Sequence, residues 1–202
     1  MKDLKDFSLK VITGCMFANK TDKLLETIDT KPAFLFKPDV DKRYGANVVR
    51  THNGLREHAA ITIPVTSPET ILEVVRTQNL YLLFNFDHQI KLIAIDEVQF
   101  FASSILKVIQ YLIKNDYQII TAGLDTDFRG EPFHPMPEIM ALADEIIKLK
   151  ACCGICQMPA TRTQRLINGQ PAPYHSPLIV IGGKEQYEPR CLKHHQVPEK
   201  LY

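Results

Sequence analysis

With 202 residues the chain is long enough for one mid-sized domain, or one domain with a small appendage, and too short for a large multidomain machine. Hydrophobic residues at 45% and charged residues at 23% give a globular balance, which excludes a disordered chain and predicts a sizeable core. A formal net charge of +1 lacks the basic excess behind nonspecific nucleic-acid binding, and no run nears the roughly 20 apolar residues of a membrane span. The expectation is a soluble, cytoplasmic protein with neither nucleic acid nor membrane as partner.

Leu9 to Thr13 reads as a short strand ending at Gly14, and the polar Thr21 to Thr27 segment as a helix. A second strand is predicted at Ala33 to Phe36. The stretch from Pro38 to Leu55, with Gly45, Asn53 and Gly54 among mixed charges, reads as a mobile loop. Ser67 before Pro68 is a helix start, because the hydroxyl can cap free backbone amides and proline suits the first turn; Ile71, Leu72 and Val75 follow at helical spacing. Leu92 to Ile95 is a continuous apolar strand ending in Asp96. Ser103 to Asn115 carries Leu106, Ile109, Leu112 and Ile113 on one helical face, Tyr117 to Leu124 is strand-like, and Met136 to Ile146 predicts one more helix. Strands alternating with helices imply an α/β fold with a parallel sheet. From Ala151 onward Cys, Gly, Pro and Gln dominate, which sets a boundary near Lys150 between a 1–150 α/β domain and a small 151–202 domain.

Gly14-Cys15-Met16-Phe17-Ala18-Asn19-Lys20-Thr21 lies between the first predicted strand and helix, the setting in which backbone amides and a helix N-terminus cradle nucleotide phosphates. Its lysine and hydroxyl fit. The phosphate-loop consensus wants glycine where Asn19 stands, although asparagine tolerates positive φ. A second signature reinforces the first: the apolar strand Ile93 to Ile95 ends in Asp96 and Glu97, with Asp96 placed to hold magnesium. Neighbouring side chains on a strand face opposite ways, so the two acids divide their work unless the strand has ended; Glu97 is then the candidate base for an attacking hydroxyl.

Five cysteines are an odd number, and four fall in the last quarter of the chain, which suits reduced thiols and a metal better than disulfides. Cys153 and Cys156 supply two thiolates on one knuckle, while Cys191 and His194 repeat the spacing with a thiolate and an imidazole. Tetrahedral Cys3His zinc fits, and four protein ligands close the coordination sphere, which makes the site structural. Cys152 and His195 stand as alternates with poorer spacing. A zinc ribbon that binds nucleic acid is the competing reading, disfavoured by the charge and by the loop-like Ala160 to Gly183 segment.

Several segments together resemble the type II thymidine kinases. They are Val11 to Phe17, Phe36-Lys-Pro with Asp41-Lys-Arg43-Tyr44, Thr51-His-Asn-Gly54, Ile95-Asp-Glu-Val-Gln-Phe-Phe101 and Gly123-Leu-Asp-Thr-Asp-Phe-Arg-Gly-Glu-Pro-Phe133. The tail continues the match through Lys148 to Ala151, the cysteine knuckle, Thr161 to Gly169, Pro173-Tyr174, Gly182-Gly183 and Tyr187 to His194. The resemblance spans almost the whole chain.

It implies a RecA-like P-loop domain followed by a zinc domain whose long lasso loop closes over the nucleoside. By the same resemblance the ATP site comprises Gly14 to Thr21 together with Asp96, Glu97, Val98 and Gln99. Lys20 would contact the β and γ phosphates, Thr21 and Asp96 would hold Mg2+, Glu97 would deprotonate the thymidine 5′-hydroxyl, and Arg43 would neutralise the transferring phosphoryl group. The thymine pocket would be lined by Met16, Phe100, Leu124, Phe128, Phe133 and Tyr187, with backbone groups of Ile179, Val180, Ile181, Gly182 and Gly183 on the base edges. A homotetramer and feedback inhibition by dTTP are implied as well. This sequence departs from the family at Cys15, where the family has proline, and at Asn19, where it has glycine; the helix after Thr21 is shorter and lacks the usual paired arginines. Two readings follow: a kinase making dTMP from thymidine and ATP, or a thymidine- or dTTP-binding protein impaired in catalysis.

Overall fold

A computed structural model describes residues 7–42, 45, 47–51, 54–86, 88–180 and 186–200. In chain order these form β1 (Leu9–Thr13), α1 (Lys20–Ile28), β2 (Ala33–Pro38), β3 (Val48–Arg50), β4 (Glu57–Ala59), β5 (Ile61–Ile63), α2 (Thr70–Phe86) and β6 (Leu92–Ile95). There follow α3 (Ile105–Lys114), β7 (Gln118–Gly123), α4 (Met136–Leu142) and β8 (Glu145–Lys148). The C-terminal part holds β9 (Ala151–Cys152), β10 (Pro159–Ala160), β11 (Arg162–Ile167), β12 (Gln170–Pro171) and β13 (Tyr187–Arg190).

Six strands pair in the order β5-β2-β6-β7-β1-β8, every pair parallel. The predicted α/β architecture is therefore present, and its cause lies in the strands themselves. Their nearly continuous apolar runs supply both faces of one sheet, as a parallel sheet covered on both sides requires. Leu9, Val11, Phe34, Phe36, Ile93 and Ile95 face α2, α3 and α4, while Ile12, Leu35, Ala94 and Ile120 alternate onto α1 through Leu24, Leu25 and Ile28. Burial of these side chains at about 25 cal/mol per Å² is the main favourable term.

The predicted helix over Met136 to Ile146 needs correction. It stops at Leu142, Ala143 turns extended, and Glu145 to Lys148 pair with β1 as the sixth strand. The Asp144 carboxylate accepts the backbone N–H groups of Ser8 and Leu9, which ties this turn to the start of β1. The expected Pro38 to Leu55 loop is also partly regular, since Val48 to Arg50 pair antiparallel with Glu57 to Ala59. Buried Lys37 donates to the Gly45 and Val48 carbonyls and pins that hairpin. At the second helix, Ser67 and Pro68 form a turn and the α-helix proper starts at Thr70.

No helix among the described residues is long and apolar enough to cross a membrane.

Candidate active site

The phosphate loop follows β1 at the carboxyl end of the sheet, where parallel α/β folds open their ligand crevice. Gly14 stands at φ 142°, and a Cβ there would lie 2.4 Å from the Leu149 carbonyl oxygen, so only glycine fits. Asn19 takes the left-handed conformation, φ 58° and ψ 35°, immediately before the first turn of α1. Asparagine thus supplies the backbone that the consensus glycine would. Lys20 Nζ curls back to the Cys15 carbonyl at 2.9 Å. Cys15 itself points under the loop: its buried Sγ lies 3.5 Å from the Ala160 carbonyl, and burial pushes the thiol pKa up. The thiol therefore faces away from the cavity side of the loop.

Asp96 and Glu97 leave β6 in different directions because the strand has ended. The Asp96 N–H still bonds the Phe36 carbonyl, whereas Glu97 turns left-handed at φ 50° and ψ 41° before a short 3-10 turn, Val98–Phe100. Asp96 is buried, and Thr21 Oγ1 donates to its Oδ2 at 3.2 Å, a hydroxyl and a carboxylate paired as a hard cation would need them. Gln99 bridges the two sides of the site. Its Oε1 accepts the Leu124 N–H at 3.1 Å, which leaves Nε2 to donate to Glu97 Oε2 at 2.7 Å. A Cβ on Gly123 would come within 2.6 Å of that Oε1, so the glycine gives the bridge its room.

Of these groups, Asn19, Lys20, Thr21 and Glu97 line one cavity. Lys20, Thr21 and Glu97 stand on its polar side. Met16, Phe100, Leu124, Phe128 and Phe133 form an apolar wall, and Ile179, Val180 and Tyr187 close over it. Phe100 and Phe133 meet edge to face with centroids 5.9 Å apart. An apolar cavity that also presents a carboxylate and an ammonium suits a nucleobase with a reacting hydroxyl.

Below the phosphate loop, one ligand atom each of Cys153, Cys156, Cys191 and His194 lies within 4.8 Å of the others. Cys156 Sγ and Cys191 Sγ are 3.8 Å apart, and His194 Nδ1 is 3.7 Å and 3.4 Å from the thiols of Cys153 and Cys191. Zinc with Zn–S bonds of about 2.3 Å demands S···S edges of about 3.8 Å, so the donor set fits the ion. Burial opposes ionisation of Cys153, but backbone N–H groups of Cys156, Cys191 and Ile155 and the His194 side chain bring its pKa down to about 5, as a metal thiolate requires. His195 turns elsewhere: its Nε2 meets the Phe128 carbonyl at 2.9 Å. Cys152 is exposed and outside the cluster.

Residues 7–195 match the family model described as thymidine kinase. A protein named thymidine kinase from Coprothermobacter proteolyticus is 44% identical over 201 residues, covering 97% of this chain and 94% of its own length. The chain belongs to the thymidine kinase family. Membership supports phosphorylation of thymidine and does not favour the alternative of a nucleoside-binding protein without turnover.

Within this thymidine kinase family member the cavity gathers several residues that sequence reasoning did not assign, namely Asp22, Asp41, Asp127, Thr163 and Leu178. Asp127 sits in the Gly-Leu-Asp-Thr-Asp run already singled out, and Thr163 in Thr-Arg-Thr, so the motifs were visible while the roles were not. Burial raises the Asp127 pKa, against backbone N–H donation from Glu131 and Arg129. Of the residues expected on the ATP side, Ala18 is buried under the loop beside Ala160, and Val98 is buried in the core. Arg43, Ile181, Gly182 and Gly183 lie outside the described residues.

Proposed function

We propose that the chain transfers the γ-phosphoryl group of ATP to the 5′-hydroxyl of thymidine, giving dTMP and ADP. The carrying observation is the convergence of Lys20, Thr21 and Glu97 on one cavity with an aromatic wall, with Asp96 buried behind Thr21 and bonded to its hydroxyl. As the 5′-oxygen forms its bond to the γ-phosphorus, the bond to the β-phosphate oxygen breaks and the hydroxyl proton passes to the Glu97 carboxylate. The bond from Gln99 keeps that carboxylate facing the cavity. Lys20 and the loop amides stabilise the phosphate charge. Mg2+ held by Thr21 and Asp96 would neutralise charge on the ATP phosphates, and Arg43 would add to it at the transferring group. Zinc held by Cys153, Cys156, Cys191 and His194 is structural, because four protein ligands leave no open position.

In this reading residues 1–150 form the P-loop domain and 151–202 the zinc domain. The nucleoside lies against Met16, Phe100, Leu124, Phe128, Phe133 and Tyr187, with Ile179 and Val180 beside it and backbone groups of Ile181, Gly182 and Gly183 as further contacts of the base edges. Feedback by dTTP, a cytoplasmic setting and a homotetramer belong to the same reading. Support for assembly comes from α2 and α3, which leave Leu80, Tyr81, Leu83, Phe84, Phe86 and Tyr111 exposed among the described residues.

The test is incubation of the zinc-loaded protein with thymidine and magnesium ATP, with chromatography for dTMP and with Lys20→Ala and Glu97→Gln as controls. Product from the parent is expected, with kcat down by at least about 100-fold in each variant while thymidine still raises the melting temperature. A parent that makes no dTMP overturns the kinase reading. Full activity in Glu97→Gln removes that residue as the base.

A further inference from the structure

Leu178, Ile179 and Val180 line the cavity, and the described residues 172–180 around them form neither helix nor strand. Backbone bonds from Tyr174 to Pro198 and from Ser176 to Pro173 hold the start of this segment, and side chains from elsewhere hold the carbonyls further on. Three of its carbonyls accept such bonds. Arg129 Nη2 donates to the Ser176 carbonyl at 3.0 Å, Arg165 Nη1 donates to the Pro177 carbonyl, and the Tyr187 hydroxyl donates to the Val180 carbonyl at 2.7 Å.

The two arginines also share a second partner. Their guanidinium carbons lie 5.2 Å and 5.4 Å from the Phe128 ring centroid, and Arg129 stacks on Tyr174 at 4.7 Å. Phe128 is buried and lines the cavity. Among the described residues neither guanidinium has a carboxylate within ion-pair distance, although Arg165 is only 6% exposed. A buried charge without a counter-ion is expensive unless carbonyls and aromatic faces compensate it. Here both compensating groups belong to the cavity: the ring to its wall, the carbonyls to the segment that closes it. A planar guanidinium can lie against a ring face while its edge N–H groups donate to a carbonyl, a geometry that the compact, more strongly hydrated ammonium of lysine reproduces poorly.

We propose that Arg129 and Arg165 are positioning residues: as a two-pronged clasp they hold residues 176–180 over the cavity at the height set by Phe128. They thereby govern nucleoside affinity without taking part in phosphoryl transfer. The inference rests on the kinase reading for its substrate, and on geometry alone for the clasp. A preformed wall spares the nucleoside the ordering of a loop, so loss of the clasp falls on binding more than on chemistry.

The test uses the zinc-loaded full chain with Arg165→Gln, Arg165→Lys and Arg129→Gln. KM for thymidine is expected to rise about tenfold in both Arg165 variants and by a smaller factor in the more exposed Arg129→Gln, with kcat and KM for ATP within about twofold. Lysine failing to rescue is part of the expectation. Thermolysin, which cuts before large apolar residues, should cleave the ligand-free variants at Leu178 to Val180 about tenfold faster than the parent. An unchanged thymidine KM, a fall in kcat at constant KM, or unchanged cleavage overturns the clasp. If Arg165→Gln fails to fold by circular dichroism, Arg129→Gln decides. A parent without turnover sinks the kinase reading, while the cleavage comparison still judges the clasp on its own.

Discussion

Asn19 holds φ 58° and ψ 35° at the N-terminus of α1, beside the phosphate site that the kinase reading proposes. A left-handed non-glycine residue costs about 1 kcal/mol, less for asparagine than for most, and the amide occupies room a glycine would leave. Asn19→Gly is therefore expected to lower KM for ATP about two- to fivefold with the melting temperature nearly unchanged, read by steady-state kinetics and calorimetry. A higher KM would show that the amide helps to bind the nucleotide. Gly14 has no such latitude, because the Leu149 carbonyl fills the space of a Cβ. Phe17 and Glu97 are further left-handed residues at the site, and at Glu97 the turn is what parts its carboxylate from that of Asp96. Sequence spacing had already separated the two acids by strand alternation; the separation comes from the strand's end, which no local pattern marks to the residue.

At the scale of elements, apolar periodicity located β1, β2, β6, β7 and α3 to within a few residues, because each buries a full stripe or face. It failed at β8, where Glu145-Ile-Ile-Lys reads as the end of an amphipathic helix. An edge strand needs little burial of its own; its partner β1 and the Asp144 anchor decide it. Asp144 carries a pH signature. The N–H of Ser8 and then that of Leu9 hold its carboxyl below the usual carboxylate range. The folded state thus binds the proton less tightly than the unfolded, so this stabilisation is present above about pH 4 and lost as pH falls through the folded value. Asp144→Asn keeps an acceptor and removes the charge. Its melting temperature at pH 7 should fall by about 2 °C, after allowance for solvent screening of an exposed group, and the gap to the parent should close near pH 2. An equal gap at both pH values would mean that charge is irrelevant there.

At the scale of the whole molecule, the C-terminal part is bonded directly to the phosphate loop. The Cys15 thiol meets the Ala160 carbonyl, and the Met16 N–H donates to Thr163 Oγ1 at 3.0 Å. Cys15, Ala18, Cys153 and Ala160 pack as one small cluster. Removal of the metal should therefore reach the nucleotide side before the sheet. Chelation is expected to lower the melting temperature by about 10 °C or more and to abolish ATP binding by calorimetry, while far-ultraviolet circular dichroism retains the helical signal. Intact ATP binding in the chelated protein would break this link.

The chain's own residues determined the parallel α/β class, the phosphate loop, the paired acids at a strand end and the Cys3His spacing, because each is a local pattern with a short-range physical cause. Tertiary structure alone decided the rest. It recruited β8 to the sheet, turned Cys15 under the loop, set Gln99 between Glu97 and Leu124, and brought Arg129 and Arg165 onto the carbonyls of a segment as many as 47 residues away in sequence. Those contacts join positions with no common periodicity. Only packing, through which buried donors must find acceptors wherever the fold brings them, selects the partner.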